Sequence, residues 1–325
     1  MIVLTHDDVA ALLPMTDAIE VVANAMKGVS DRTVQLPLRS VLPVGGDNKM
    51  GVMPGAIADP ACYGVKLVSL FPGNPARGLS SHRGAIVLFE AETGGAVAMM
   101  DASLLTAIRT AAASAVATRA LARQEASSLA LIGYGEQAEH HLHAMLTVRP
   151  VERVVVAGRS AEKAAAFVEE AASHYPEVAF NSTTDLQAAV EDADIVCTVT
   201  ASPAPIVKGD WIPAGAHVNI VGSSIPSMRE VDDRMVERGA IWVDYLPSTL
   251  AQAGEIVDMI AAGTFDKDDL KGEIGAVLQG RVAGRADADQ ITVYRSLGVA
   301  AQDLASAHHV LERARSAGRG QVVNF

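Results

Sequence analysis

From residue 129 onward, short apolar runs alternate with segments whose apolar residues recur at helical spacing. Leu129–Ile132 is the first such run, and the helical pattern that follows it includes Leu142 and Met145. This alternation predicts β-α-β units, and therefore a parallel sheet with helices on both faces. The further predicted elements are strands over 154–157, 178–180, 195–199, 218–221 and 241–243, and helices over 161–172 and 186–190.

The first hundred residues follow a different pattern. Thr5 and Thr16 are predicted to cap two helices, the second of which carries apolar residues at helical spacing from Ile19 to Met26. Apolar stretches bounded by Gly, Pro and Asn come next. They predict strands over 34–44, 50–57, 63–70, 85–89 and 96–100. This region therefore reads as a helix pair followed by a mostly antiparallel sheet.

Two longer helices bear on the domain organisation. One is predicted from Leu104 to about Arg123, and another, after about Ile291, from Leu297 to about Arg315. The second lies outside the alternating pattern, so we expect it to return to the first domain. The predicted fold is α/β: a Rossmann-type doubly wound parallel domain over 114–290 and a discontinuous α+β domain over 1–113 plus 291–325.

A glycine motif stands between the first strand of the alternating region and the helix after it. The sequence is Gly133-Tyr-Gly135-Glu-Gln-Ala138, with the spacing G-x-G-x-x-A. In a dinucleotide site the first glycine makes a tight turn, the second admits the pyrophosphate, and the third small residue lets the helix lie close to the strand. The motif alone is weak evidence, but its position after a strand and before a helix indicates dinucleotide binding.

Composition narrows the class of protein. The chain has 325 residues with a net charge of −12, which argues against binding to nucleic acid or to an anionic membrane. Cys62 and Cys197 are far apart and flanked by apolar residues, so we expect buried thiols in a reducing compartment. The first residues lack the pattern of a signal peptide, and we expect a cytoplasmic location. The histidines form no metal-ligand pattern with acids, so no metal site is predicted.

The end of the second strand of the dinucleotide domain bears on the choice of cofactor. An acid at this place takes the ribose hydroxyls of NAD. Here the sequence is Gly158-Arg159-Ser160, and an arginine with a hydroxyl can accept the 2′-phosphate of NADP instead. The alternative is that Arg159 is a solvated loop residue and Ser160 a helix cap. We expect NAD(P), with NADP favoured.

Several segments together resemble the ornithine cyclodeaminase/μ-crystallin family. The resemblance covers nearly the whole chain and implies a homodimer, a nicotinamide cofactor, and a first domain that binds substrate and forms the dimer. The segments that carry it are Tyr63-Gly-Val-Lys-Leu-Val-Ser, Gly78-Leu-Ser-Ser-His-Arg-Gly, Leu105-Thr-Ala-Ile-Arg-Thr-Ala-Ala-Ala-Ser-Ala, Gly133-Tyr-Gly-Glu-Gln-Ala, Gly215-Ala-His-Val-Asn-Ile-Val-Gly and Ile291-Thr-Val-Tyr-Arg-Ser-Leu-Gly.

The resemblance also implies roles for individual residues. Lys66 and Arg109 correspond to residues that hold the substrate carboxylate, with Arg39 as a third cation, and a guanidinium suits a carboxylate because it can bind both oxygens. An ordinary ion pair or a solvated lysine is the alternative for each. The positions expected to touch cofactor, besides Gly133, Gly135 and Ala138, are Ser81, Thr110, Glu136, Gln137, Arg159, Ser160, Thr200 and Ser296.

Ser224 departs from the cyclodeaminase pattern. Where a cyclodeaminase has an Asp that acts as acid and base, this chain has Gly222-Ser223-Ser224. A serine is no base near neutral pH, and cyclodeamination needs proton transfers that the reduction of a preformed imine does not. The sequence therefore favours reduction of a 2-imino acid to the L-amino acid. The alternatives are an alanine dehydrogenase-like enzyme, a cyclodeaminase and a non-catalytic NAD(P)-binding protein.

Two residues of the loop before the fourth predicted strand bear on the substrate. Arg83 is predicted to read a second carboxylate if it lies near Lys66 and Arg109, which would favour iminosuccinate over Δ1-pyrroline-2-carboxylate. A surface arginine is the commoner reading. His82 is a candidate proton donor, or alternatively a hydrogen-bonding scaffold.

Overall fold

The computed structural model describes residues 1–324, which form two compact units. The first unit consists of residues 1–112 and of the chain from residue 299 onward, and the second of residues 113–298. The first boundary falls inside one helix, Ala102–Leu121. The return to the first unit comes at residue 299, and the predicted return at residue 291 is wrong because residues 292–295 form a strand of the second unit.

The sheet of the first unit is antiparallel except where its first strand joins it. The strands are β1 Ile2–Leu4, β2 Val34–Gln35, β3 Ser40–Gly45, β4 Asn48–Ala58, β5 Ala61–Leu70, β6 His82–Phe89, β7 Ala96–Asp101 and β16 Gln321–Val322. Their order is β16-β1-β7-β6-β5-β4-β2, with β3 paired to β4, and β1 runs parallel to β7. The predicted strand over 34–44 is two strands separated around Pro37, which cannot donate to a ladder.

Four helices belong wholly or partly to the first unit: α1 His6–Leu12, α2 Met15–Ser30, α3 Ala102–Leu121 and α11 Ala300–Ala317. Thr5 caps α1 through a capping box, as predicted. The predicted Thr16 cap is wrong, because α2 begins at Met15 after Pro14, whose extended backbone suits the position before a helix.

Helix α11 packs closely on one face of the sheet. At Gly55 of β4, an added Cβ would lie 3.1 Å from the Cβ of Ala300. At Gly64 of β5 it would lie 3.0 Å from Leu304. Both positions need glycine because a side chain there would collide with α11. The close packing also brings α11 against the other side chains on this face of β4 and β5.

The opposite face of this sheet is apolar and half-exposed. Val52 of β4, Val65 and Leu67 of β5, and Val87 of β6 all lie on it, because residues paired across the ladders share a face. Leu42 of β3, which pairs with Met50, extends this surface and is 53% exposed.

The sheet of the second unit is wholly parallel. Its strands are β8 Ser128–Ile132, β9 Arg153–Ala157, β10 Ala179–Thr183, β11 Ile195–Thr198, β12 His217–Ile220, β13 Ala240–Val243, β14 Gly272–Glu273 and β15 Thr292–Arg295. Their order is β10-β9-β8-β11-β12-β15-β13-β14. The helices are α4 Glu136–Val148, α5 Ala161–His174, α6 Leu186–Val190, α7 Asp233–Arg238, α8 Leu246–Gln252, α9 Gly254–Ala262 and α10 Ile274–Leu278. The predicted doubly wound α/β pattern is confirmed, and β14 and β15 are additional strands.

Cys62 and Cys197 are free, buried thiols, as predicted. Burial raises the pKa of Cys62 to about 11 and that of Cys197 to about 12. Within residues 1–324, no single helix has the length and apolar character of a membrane span. Helices α1 and α2, bent by 84°, meet that criterion only as a joined pair.

Candidate active site

Lys66 is a buried lysine on the face of the first unit's sheet that α11 covers. It lies on β5 with only 2% of its surface exposed. Its Nζ donates to Oδ1 of Asp303 on α11 at 2.8 Å. Alternation along β5 directs Lys66 to this face, because its neighbours Gly64 and Val68 are buried there as well.

Arg109 reaches the same carboxylate from α3. Its Nε donates to Oδ1 of Asp303 at 2.8 Å, and its Nη1 donates to Oε1 of Gln302 at 2.9 Å. Arg109 is 5% exposed, and Asp303 and Gln302 are fully buried. Lys66, Arg109, Gln302 and Asp303 therefore form one buried group, which we name the cation cluster, in which two cations share one anion.

The environment of the cation cluster gives Lys66 an unusually low pKa for a lysine. Burial, together with the positive charges of Arg109 and Arg39, lowers the pKa of Lys66 to about 7, although Asp303 acts in the opposite direction. Burial alone would raise the pKa of Asp303, but the charges and hydrogen bonds of Arg109 and Lys66 hold it below its ordinary value. Asp303 is therefore a carboxylate, and Lys66 gains or loses its proton close to neutral pH.

Arg39 and His82 lie within electrostatic reach of the cation cluster. Arg39 stands just before β3, is half-buried, and its charge contributes to the low pKa of Lys66. Desolvation and the charges of Lys66 and Arg109 lower the pKa of His82, although much of the residue is exposed. The His82 Nδ1 lies 2.9 Å from Oγ of Ser81, which fixes the orientation of the ring.

Arg83 does not join this group. In the ladder of β5 and β6, Lys66 pairs with Ile86 and Leu70 with His82, so these four share a face. Arg83 pairs with Ser69 and is directed to the other face. The expectation that Arg83 lies near Lys66 and Arg109 is wrong, because successive side chains of a strand point to opposite faces.

Asp303 and Gln302 were missed by the sequence reading. They lie in an Ala-rich helix that reads as amphipathic through Leu304 and Leu311, and charged residues on such a helix are usually solvated. Their place in the sequence could have indicated burial, since both lie between Ala301 and Leu304 in the apolar part of the helix. The lone acid within that stretch implies a buried cation as partner.

The glycine loop of the second unit has the geometry of a dinucleotide turn. Gly133 follows β8 with a φ of +120°, which side chains rarely adopt, and a Cβ there would lie 3.0 Å from the carbonyl oxygen of Val199. Gly135 is the N-cap of α4, and a Cβ on it would meet nothing within 4 Å. Ala138 is fully buried beneath the turn. The space beside Gly135 is therefore open.

Other groups in the second unit fit a bound dinucleotide. Within the part of the chain that the structure describes, the buried Oε1 of Gln137 and Oγ of Ser296 have no hydrogen-bond partner. Gln137 lies in the first turn of α4, whereas Ser296 directly follows β15. Buried polar atoms are normally paired, so orphaned atoms at these places are consistent with ligand contacts. Glu136, the first residue of α4, is exposed beside the turn. These residues fit the group that the motif implies.

Thr200 is tied down by a buried acid that the sequence reading missed. Glu230 is fully buried and accepts from the amide of Thr200 at 2.7 Å and from its Oγ1 at 2.8 Å. It also accepts from Oγ1 of Thr198 at 2.9 Å and from the amide of Gly222 at 2.6 Å. Desolvation raises the pKa of Glu230, and these hydrogen bonds act against the rise. Glu230 thus fixes the segments that follow β11 and β12.

The serine pair after β12 is held by a buried arginine. Arg295 of β15 donates to the carbonyl oxygen of Ser223 at 2.7 Å and to its Oγ at 3.0 Å, and is paired with Glu255. Ser223 is therefore a structural anchor. Ser224 is half-buried in the same loop, and its side chain brings no carboxylate to this place.

The remaining predicted positions are placed as follows. Thr110 is buried on α3, directly after Arg109. Arg159 is exposed after β9, and Ser160 caps α5, with its Oγ accepting from the amide of Lys163 at 3.3 Å. Among residues 1–324, no group of three or more His, Cys, Asp or Glu could hold a metal ion.

A parallel sheet with a glycine turn before α4, and a separate unit that holds the cation cluster, are the features expected of a nicotinamide-dependent oxidoreductase. The ornithine cyclodeaminase/mu-crystallin family model matches residues 1–318. The chain belongs to this family.

Individual relatives cover the whole chain. The Delta(1)-pyrroline-2-carboxylate reductase of Bacillus cereus is 33% identical over 331 residues, which span 100% of both chains. The structure of the Thermococcus litoralis Delta(1)-pyrroline-2-carboxylate reductase in complex with NADH and L-proline matches with a TM-score of 0.96 at 32% identity, covering 99% of this chain and 100% of that one. The iminosuccinate reductase of Paracoccus denitrificans in complex with NAD+ matches with a TM-score of 0.92 at 29% identity, covering 100% and 99%.

Proposed function

We propose that this protein is an NAD(P)H-dependent reductase that converts a 2-imino acid to the L-amino acid. The observation that carries the proposal is the cation cluster. When Lys66 is protonated, two buried cations and one buried anion leave a net positive charge, and Lys66 and Arg109 carry more N–H donors than Asp303 and Gln302 accept. A 2-imino acid always carries a carboxylate, which such a cluster can neutralise.

The chain's own residues act by binding and positioning. Lys66 and Arg109 hold the substrate carboxylate, and Asp303 keeps both cations in place before the substrate arrives. The glycine turn and the first amides of α4 hold the pyrophosphate of the cofactor, with Gln137 and Ser296 as further contacts. When bound, the reduced nicotinamide supplies the hydride for the imine carbon.

Ser224 favours reduction over cyclodeamination. Expelling ammonia and closing a ring both require a group that takes up and returns protons near neutral pH. Ser224 has no such group, and Glu230 is engaged in hydrogen bonds with Thr198, Thr200 and Gly222. A protonated imine is already electrophilic and needs only correct placement. The pKa of His82, the other candidate proton donor, lies below its ordinary value, so its imidazole is mostly neutral near pH 7 and the amine that forms takes its proton from water.

Among imino acids, we propose Δ1-pyrroline-2-carboxylate as the substrate. The relative with the highest structural similarity above is a reductase of this compound, and its sequence aligns along the whole chain. Arg83, which was expected to read a second carboxylate, faces away from Lys66. Iminosuccinate is the second candidate, because Arg39 is a further cation close enough to influence Lys66.

Three finer points complete the proposal. We propose that NADPH is preferred to NADH, because Arg159 and Ser160 stand where an acid would read the ribose of NAD. We also propose a homodimer formed through the half-exposed apolar face of the first unit's sheet, since patches of this kind mark interfaces. Replacing Leu67 by Glu on that face is expected to give monomers in light scattering. The location remains a prediction: the cytoplasm.

The reaction is tested by following loss of reduced-nicotinamide absorbance with three substrates: Δ1-pyrroline-2-carboxylate, freshly prepared iminosuccinate, and pyruvate with ammonium. We expect turnover with the cyclic imine, and loss of that turnover in Lys66→Met while the cofactor still binds. Turnover only with pyruvate and ammonium would identify an amino acid dehydrogenase. Cofactor binding without turnover of any compound would contradict the proposed reaction.

A further inference from the structure

In a dinucleotide-binding fold the adenosine ribose is bound at the end of the second strand, and this chain has different residues there from the common arrangement. In the common arrangement an acid at the end of the second strand accepts hydrogen bonds from the ribose hydroxyls. The second strand here is β9, which ends at Ala157, and residues 157–161 contain no acid. The residues in question are Gly158, Arg159 and Ser160.

Gly158 is a glycine for reasons of space. A Cβ added to it would lie 2.4 Å from Cε1 and 3.0 Å from Cδ1 of Tyr134. Real Cβ atoms do not approach other atoms so closely. Its φ is not among the positive values that demand glycine, so the backbone alone would accept another residue. The ring of Tyr134, from within the glycine turn, therefore occupies the space of a side chain at residue 158.

The hydroxyl of Tyr134 is fixed as well. Its Oη accepts a hydrogen bond from the amide of Ser160 at 3.1 Å. The Oγ of Ser160 in turn accepts from the amide of Lys163 at 3.3 Å. Because both oxygens already accept from the backbone, each hydroxyl retains its own hydrogen for donation. The phenol of Tyr134 thus bridges the glycine turn and the start of α5.

The groups at this place suit a phosphate better than a bare ribose. Two hydroxyl donors, Tyr134 and Ser160, accompany the exposed guanidinium of Arg159 and the exposed ammonium of Lys163. Glu162, in the first turn of α5, is the one acid of this segment, so the segment 158–163 carries a net charge of about +1. A phosphate monoester accepts hydrogen bonds and is negatively charged, whereas a ribose hydroxyl gains most from a carboxylate.

We propose that Tyr134 replaces the ribose-reading acid in this chain, and that its phenol, by excluding a side chain at Gly158 and donating a hydrogen bond, selects the dinucleotide that carries a 2′-phosphate. The inference rests on the proposed function in one respect, since it takes the second unit to bind a nicotinamide dinucleotide. It adds the residue that determines which one.

The test measures dissociation constants of NADPH and NADH by fluorescence titration, which needs no turnover. Tyr134→Phe keeps the ring against Gly158 and removes the hydroxyl, both as a donor to the ligand and as the acceptor for the amide of Ser160. We expect it to weaken NADPH about tenfold, the effect of one hydrogen bond to a charged group, and NADH less than about twofold. Tyr175→Phe, a change at the C-cap of α5, is the matched control and should leave both constants unchanged.

A second variant tests the exclusion of a side chain. The double replacement Tyr134→Ala with Gly158→Asp removes the ring and supplies the acid, and we expect it to bind NADH more tightly than NADPH. Equal weakening of both nucleotides in Tyr134→Phe, or no change in either, would overturn the inference while leaving the proposed function standing. Failure of the unaltered protein to bind either nucleotide would instead overturn the proposed function, and this inference with it.

Discussion

The protonation of Lys66 predicts how tightly the protein binds a carboxylate at different pH. Burial and the charge of Arg109 lower the pKa of Lys66 to about 7 in the absence of substrate. A carboxylate bound at Lys66 adds a negative charge and raises that pKa, so binding takes up a proton above neutral pH. Affinity should therefore be highest below about pH 7 and fall as the pH rises, because the free protein loses the charge that the ligand needs.

The size of the effect follows from the contact that is lost. A hydrogen bond to a charged group contributes about 1.5–3 kcal/mol, and each 1.4 kcal/mol is a factor of about ten in a dissociation constant. The dissociation constant should rise about tenfold per pH unit once Lys66 is mostly neutral. It should level off when the total change reaches about 10- to 100-fold, since Arg109 still holds the carboxylate.

The assay uses pyrrole-2-carboxylate, a flat cyclic carboxylate without a basic nitrogen, so the ligand keeps one charge from about pH 6 to about pH 9. Its inhibition constant against the imino acid is measured across this range. Lys66→Met is the matched variant. Its inhibition constant should be high at every pH, and the constant of the unaltered protein should rise toward this value as the pH increases. His82→Gln should keep the slope, because the pKa of His82 lies below its ordinary value.

Two results would refute this reasoning. An inhibition constant of the unaltered protein that stays flat over the whole range would mean that Lys66 holds its charge or makes no contact with the carboxylate. A slope that persists unchanged in Lys66→Met would assign the titration to another group.

Two other predictions concern single substitutions. Asp303→Asn should lower the free energy of unfolding in urea by about 3 kcal/mol because it leaves two buried cations without their anion, whereas Asp17→Asn, which removes a surface ion pair, should cost less than about 1 kcal/mol. Equal losses of unfolding free energy in the two variants would mean that the buried ion pairs of Asp303 stabilise the fold no more than the surface ion pair of Asp17. Gly135→Ala should leave the melting temperature unchanged and weaken cofactor binding at least tenfold, because a Cβ there meets only the space for the pyrophosphate. Gly133→Ala should instead destabilise the fold by about 2 kcal/mol, since its φ of +120° excludes alanine.

The parts that local sequence determines could be predicted well. The turn at Gly133 and Gly135 follows from residue type and spacing, and the structure has the expected strand, turn and helix. The cap of α1 by Thr5 is likewise local. Thr16 shows the limit of the same reasoning. Although threonine is a good capping residue, Pro14 takes the N-cap position of α2, and Thr16 lies inside the helix.

The parts that depend on distant residues could not be predicted. Strand β15 was missed because its polar ends, Thr292 and Arg295, read as surface residues. Only their distant partners make them buried: Glu255 and Ser223 for Arg295, and His217 and Arg285 for Thr292. The prediction put Arg83 on the same face of the sheet as Lys66, whereas it lies on the opposite face. A shift of one residue in strand pairing moves a side chain to the other face, and the sequence alone does not give this pairing.

The cation cluster also constrains the order in which the protein can be completed during synthesis. Lys66 and Asp303 are 237 residues apart in the chain, and the whole second unit is translated between them. A nascent chain that has made β5 and α3 holds two cations destined for burial and has not yet made the anion that neutralises them. Closing α11 over the sheet before Asp303 has left the ribosome is impossible, so the first unit is completed last, although its sequence begins first.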